Sequence, residues 1–294
     1  MDIKLQLGGL CLRILLNRKV EIEPELYPFL CHGEQPEEVT VRISWDWEAA
    51  RHPVSSPQGE DLIQTYYAEG DVSFCVTKAG PKGPIASTLY TKDFRRVVCT
   101  IHEKPFLEPP KRLGSILRFL PMRALFQHFG VLFFHAAQVE AEGGGILFLA
   151  PSGGGKSTQA NLWVRNRGGT LLCGDRTLLR RSQAGWRTYG YPIDGSSPVR
   201  TTESKRPHCL VLLSQAEENR VTPLYGARAL AGLMPQLVID SWSAQARNRA
   251  VDLLLDLIQD VPVYALACTP DARAVACLEQ QLQTDGVLKY GNHS

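Results

Sequence analysis

The most specific chemistry in the chain lies in Ala150-Pro-Ser-Gly-Gly-Gly-Lys-Ser-Thr158. The stretch fits the phosphate-binding loop pattern: Ala or Gly, four residues, Gly-Lys, then Ser or Thr. Ser152, Gly153, Gly154 and Gly155 let the backbone curl so that successive N–H groups point inward at an anion. Lys156 is expected to reach the β- and γ-phosphates of a nucleotide. Ser157 is expected to hold Mg²⁺, with Thr158 beside it in the first turn of a helix whose positive end adds to the field. A Gly-rich turn without a ligand would leave Lys156 and Ser157 with no packing role.

The flanking residues supply the strand and helix that such a loop needs. Gly145-Ile-Leu-Phe-Leu149 is an unbroken apolar run, as in a strand buried on both faces. Ser157 to Val164 opens a helix with Ala160 and Trp163 on its inner side, and Gly168-Gly169 ends it. Further along, Thr170-Leu-Leu-Cys-Gly-Asp175 is a short apolar strand ending in a carboxylate. Ligands of open α/β sheets bind at the carboxyl ends of strands, so Asp175 is placed to hold Mg²⁺ or take a proton from an attacking hydroxyl. His135 follows the apolar segment Val131–Phe134, and both a core and a site role are open for it. Gly190 to Ser197 is a polar, turn-rich loop in which Asp194 is a second candidate metal carboxylate. Arg200 is a candidate phosphate or substrate contact, as are Lys205 and Arg206.

The rest of the chain divides near the Pro-rich stretch Pro105–Pro110. Residues 1–110 read as a β-rich domain with strands near Leu5–Leu16, Val39–Trp47, Asp71–Thr77 and Arg96–His102. Trp45 and Trp47 fall on the same face as Val39, Val41 and Ile43. His32, His52 and His102 share no metal spacing. Residues 111–294 read as the P-loop domain. It opens with a helical stretch over Leu113–Phe129 that Pro121 interrupts. A hairpin is expected at Leu178–Tyr189 and strands at Cys209–Leu213 and Pro262–Leu266. Helices are expected near Leu224–Met234, Trp242–Leu257 and Asp271–Leu282, followed by a frayed tail from Gly286.

Composition narrows the function class. With 294 residues, 44% of them hydrophobic and 21% charged, the chain is globular in type. A net charge of +2 gives no reason to expect a nucleic-acid partner. No apolar run is long enough for a transmembrane helix, so no membrane partner is expected. The N-terminus lacks the apolar core of a signal peptide. The eight cysteines form no C-x-x-C pair and read as buried thiols of a cytoplasmic protein.

Four stretches in order carry a family resemblance: Phe134-His-Ala-Ala137, the loop Ala150–Thr158, Leu171-Leu-Cys-Gly-Asp175 and Tyr189-Gly-Tyr-Pro192. The chain from about residue 113 to 284 resembles the HPr kinase/phosphorylase C-terminal domain. It is closest in look to the small HPr-kinase-like serine kinases of peptide natural-product clusters, including lasso peptide clusters. The resemblance implies an α/β fold akin to phosphoenolpyruvate carboxykinase, with the P-loop on a mixed sheet. It implies Lys156 as the phosphate lysine, Ser157 as a Mg²⁺ ligand, His135 as the active-site histidine and Asp175 as the general base. Two family acids are replaced here, by Gly174 at the strand end and by Thr158 after the loop serine. The family's long phosphorylase signature is not found, so kinase activity is expected without the reverse reaction.

The expectation is therefore a Mg-ATP-dependent kinase acting on a serine of a peptide or small protein. A small-molecule hydroxyl kinase and a non-catalytic nucleotide sensor are the alternatives. The β-rich part is expected to grip the acceptor or to form a contact between copies of the chain.

Overall fold

The computed structural model of the chain describes residues 1–31, 33, 36–47, 53–78, 83–106, 108–193, 199 and 201–289. His32, His52, Asp194 and Arg200 lie outside the described residues, as does the end of the expected tail. The fold is mixed α/β, with two mixed eight-stranded sheets and several helices. The chain forms two compact units. One comprises Met1–Phe129 with Asp240–Arg247, the other Gly130–Ile239 with Asn248–Ser294.

The first unit is built on β1 (Asp2–Leu7), β2 (Leu10–Leu16), β3 (Val39–Asp46), β4 (Gly59–Glu60), β5 (Gln64–Glu69), β6 (Val72–Lys78), β7 (Pro84–Thr91) and β8 (Val97–His102). Their order across the sheet is β1-β2-β3-β8-β7-β6-β5-β4. Gly8 and Gly9, with φ of 60° and 74°, make the tight β1–β2 turn. In β3 the residues Val39, Val41, Ile43 and Trp45 are buried while Thr40, Arg42 and Ser44 face outward. Trp47 departs from the expected face. It lies past the end of β3 and is 66% exposed, because the alternation stops with the strand. His102 is buried, with Nε2 3.3 Å from Ser87 Oγ.

Two short helices, α1 (Leu113–Leu117) and α2 (Met122–His128), complete this part of the unit. Pro121 stands at the start of α2 and separates them, as the missing N–H requires. The inserted segment Asp240–Arg247 packs among the same elements. Trp242 lies against Tyr66 at 5.3 Å between rings and occupies the space beside Gly59 that a Cβ would need. Arg123 of α2 pairs with Asp61 and lies 3.7 Å from Asp240. Burial pushes the Asp240 carboxyl up to about 6, with Arg123 pulling it back.

The second unit holds β9 (Val131–Ala141), β10 (Gly144–Leu149), β11 (Thr170–Cys173), β12 (Arg176–Ser182), β13 (Gly185–Gly190), β14 (Arg206–Gln215), β15 (Arg220–Leu224) and β16 (Val263–Cys268). The order is β13-β12-β9-β10-β14-β16-β15, and β11 also pairs with β9. Strands β10, β14 and β16 run parallel, and the rest are antiparallel to their neighbours. The central strands read as continuous apolar runs because helices cover both faces. On one face, α3 (Lys156–Arg167) and α6 (Ala272–Thr284) bury Ala160, Trp163, Ala274, Val275, Leu278 and Leu282. On the other, α4 (Gly226–Leu233) and α5 (Ala244–Asp260) bury Ala229, Leu233, Ala250, Leu254 and Leu257.

The expected frayed tail is corrected at its start. Leu288 is 5% exposed and belongs to the core beneath α6, with Val287 packed against it. The turn after α6 folds back, with the N–H groups of Val287 and Leu288 donating to Leu282 O. The aliphatic pair thus finds a place that its position near the end of the sequence does not announce.

Trp163 fixes the P-loop helix to the sheet. It is 2% exposed and its ring lies 6.4 Å from that of Phe148 on β10. Replacing it with Ala should cost about 3–5 kcal/mol, as for other buried aromatics. Urea unfolding monitored by circular dichroism measures this. A cost below about 1 kcal/mol would mean that Trp163 does not anchor α3.

Candidate active site

Strand β9 brings the candidate groups to one edge of the second sheet. On one side Ala136 pairs with Leu149, the last residue of β10 before the P-loop. On the other side β11 and β12 pair with β9 in succession and leave a break at Gly174-Asp175. At that break the Ala136 N–H donates to Asp175 O at 2.9 Å. Leu149, Ala136 and Asp175 are thus aligned across three neighbouring strands, which sets Asp175 about 10 Å across the sheet from the P-loop's root. The turn at the break is held by Cys173, whose Sγ–H donates to Arg176 O at 2.7 Å. Thr177 Oγ1 donates to Ala136 O at 3.2 Å. These bonds fix where the strand-end carboxylate leaves the sheet.

The P-loop adopts the conformation that its glycines permit. Gly153 and Gly155 have φ of 77° and 95°, which L side chains rarely adopt. Gly154 is constrained differently: a Cβ there would sit 2.6 Å from Ala150 Cβ and 3.0 Å from Pro151 O. The loop closes with Gly154 N–H donating to Pro151 O at 3.0 Å. Helix α3 begins at Lys156, so Ser157 and Thr158 occupy its first turn and are exposed, as is Ser152. Gln159, on the buried side, donates through Nε2 to Thr269 O at 3.1 Å beyond the end of β16. The start of the helix is therefore tied to the same carboxyl edge of the parallel strands.

Lys156 is 8% exposed, and its Nζ donates to Ala150 O at 2.8 Å and Pro151 O at 3.2 Å. Burial draws the ammonium below its ordinary pKa, and the nearby Asp175 carboxylate opposes the shift. His135 is half-buried and sits opposite Arg176 in the β9–β12 register. Its pKa is lowered mainly by burial and then by the Arg176 charge, with Lys156 adding to the effect and Asp175 opposing it. Lys156, His135 and Asp175 therefore lie within electrostatic reach of one another.

Arg176 is the residue that sequence reasoning missed. Its guanidinium carbon lies 5.7 Å from the centre of the Phe133 ring, a cation–π arrangement. Phe133 in turn packs on Tyr191 with ring centres 4.8 Å apart. The buried Nε of Arg176 has no hydrogen-bond partner among the described residues. A buried, unpaired guanidinium nitrogen is costly, and the field of Lys156 and Arg176 favours an anion. The signal was available in sequence only as the residue after Asp175, since its importance comes from the register that sets it beside His135. Of the other candidates, Asp194 and Arg200 lie outside the described residues, Lys205 pairs with Glu140 at 3.3 Å and Glu203 at 3.1 Å, and Arg206 is exposed at the start of β14.

Burial, with the Arg176 charge adding to it, favours the neutral form of His135. Because its native pKa lies below the ordinary 6.5, the unfolded chain binds the proton more readily, and stability falls as pH drops through that region. Nuclear magnetic resonance titration of the His135 ring should show a midpoint below 6.5. Arg176→Met should raise that midpoint and Asp175→Asn should lower it further. An unshifted midpoint in both variants would remove the electrostatic coupling described here.

No curated protein matches the chain. A family model described as SynChlorMet cassette protein ScmC matches residues 113–283, more than half of the sequence. The chain belongs to this family.

Proposed function

We propose that the P-loop unit binds Mg-ATP and transfers the γ-phosphoryl group to a hydroxyl, the acceptor being a serine of a peptide or small protein. One observation carries the reading: a phosphate loop and a strand-break carboxylate converge on one sheet edge through their shared partner β9. The motif order resembling HPr kinase supports the same chemistry. The family description names a cassette protein, so the acceptor is sought among the products encoded beside this gene.

The donor set suits Mg²⁺ carried in by a nucleotide. Ser157 and Asp175 offer hard oxygens, and Mg²⁺ is held by one or two protein groups together with phosphate oxygens and water. No group of three or more His, Cys, Asp or Glu that could cage a metal occurs among the described residues. When bound, the ion supplies charge neutralisation between the β- and γ-phosphates.

The chain's own residues then divide the work. Asp175 accepts the proton of the attacking hydroxyl as its oxygen bonds to the γ-phosphorus. The bond from that phosphorus to the β–γ bridging oxygen breaks, and ADP leaves with the electron pair. Lys156 and the loop N–H groups hold the transferring group, which requires Nζ to exchange its carbonyl partners for phosphate oxygens. Neutral His135 orients the Asp175 side or donates to a phosphate oxygen without adding charge. Arg176 supplies the remaining positive field. Such catalysis is positioning and electrostatics throughout.

The test is mass spectrometry of Ser-containing peptides from adjacent genes after incubation with the protein and Mg-ATP. A phosphoryl gain on one peptide is expected. Lys156→Ala should lower its rate by about 10²-fold or more, and Asp175→Asn should abolish transfer. Near-normal transfer by Lys156→Ala would sink the scheme. ATP binding with no transfer to any peptide or small hydroxy compound would favour a nucleotide-binding scaffold, for which Gly174 in place of a carboxylate is the supporting feature.

A further inference from the structure

The outer face of the first unit's sheet carries a basic groove that the P-loop chemistry does not use. The groove, of ≈ 370 Å³, is lined by Arg13, Leu15, Thr40, Arg42, Arg96 and Val98, with Arg95 at its end. Strand register explains the arrangement. Arg42 stands between Leu15 on β2 and Val98 on β8, while Arg13 pairs with Thr40 one step along the same face. Arg96 immediately precedes Val97, the partner of Val41, so it flanks Thr40 on the side away from Arg13. The three arginines form a triangle about 10 Å wide around an aliphatic floor.

These cations are not equally compensated. Arg13 is held by Asp2 at 2.7 Å and Glu37 at 3.4 Å. Arg95 pairs with Asp93 at 3.3 Å, both largely exposed. The Arg42 and Arg96 side chains make no ion pair among the described residues and are exposed. A second groove, lined by Asp2, Ile3, Lys4, Arg13, Leu30 and Cys31, shares Arg13 with the first and extends the track.

We infer that this groove docks an extended acidic peptide segment, with carboxylates on alternate residues facing the arginines and small aliphatic side chains pointing away from them. Alternate residues of an extended chain point the same way about 7 Å apart, within the reach of arginine side chains spread across neighbouring strands. Guanidiniums pair with carboxylates bidentately, and Leu15 and Val98 offer apolar contact to the methylene stems of the acidic side chains. The cations are too dispersed over an open face to converge on one small phosphate. Among the described residues no aromatic side chain lines the groove to stack bases. Calling the docked peptide the kinase's acceptor rests on the proposal above, but the docking itself does not.

The test therefore uses no nucleotide. Fluorescence anisotropy would follow a labelled peptide of alternating Glu and Val binding to the full chain, beside the same peptide with Gln for Glu and a charge-matched oligothymidine. The Glu peptide should bind, and Arg42→Glu with Arg96→Glu should weaken it about tenfold or more, in keeping with two lost charge-assisted contacts. Arg42→Gln with Arg96→Gln, both at exposed positions, should give a smaller loss with an unchanged circular dichroism spectrum. Equal binding of the Gln peptide, or indifference to both double variants, would overturn the inference. Tighter binding of oligothymidine, lost in the same variants, would reassign the face to nucleic acid. Failure of the Glu peptide to bind the unaltered chain, with phosphoryl transfer observed, would remove the groove and leave the kinase reading in place.

Discussion

One backbone hydrogen bond, from the Ala136 N–H to Asp175 O, sets the geometry on which the candidate site depends. Strand β9 has only two edges, and it uses one for β10 and the other for β11 and β12 in turn. The second edge cannot serve two strands without an interruption. That interruption is where the carboxylate appears, opposite the strand end that launches the P-loop. A ladder kept continuous through residues 174 and 175 would hold Asp175 in regular pairing. The discontinuity is thus the price of an eight-stranded sheet that also presents a carboxylate beside a phosphate loop.

Charge follows from the same placement. Lys156 and Arg176 both act on His135, and the Asp175 carboxylate opposes them. Lys156 meanwhile uses the carbonyls of Ala150 and Pro151 as neutral partners. Those carbonyls satisfy its donors without a carboxylate that a nucleotide would have to displace.

Local signals were legible in the sequence and long-range ones were not. The P-loop, its strand and its helix could be read because the anion-binding conformation is specified by neighbouring glycines and by Lys156. Asp175 could be read because an apolar run ended on it. The hairpin at 176–190 and the break at Pro121 were likewise written in turn and backbone chemistry. Arg176 was invisible because its neighbour His135 is brought to it by strand register across a long stretch of chain. Strands β5 and β7 escaped notice since their alternation is diluted by Thr, Ser and Gln, whose burial in Gln64, Thr65 and Thr88 depends on partners elsewhere. Leu288 reads as tail in the sequence because nothing local distinguishes an aliphatic residue there that packs from one that does not.

The inserted segment Asp240–Arg247 has a consequence for how the protein comes to be made. Trp242 fills the place beside Gly59 and Tyr66, and the Gln127 amide donates to Ala246 O at 3.0 Å. Although most of the first unit is synthesised early, its packing is finished by residues translated more than a hundred positions later. During vectorial synthesis the nascent N-terminal sheet must wait, with Tyr66 and the Arg123 region uncovered, while the P-loop strands emerge. No single cut in the gene yields the complete first unit, since a fragment ending at residue 129 lacks the tryptophan that completes it.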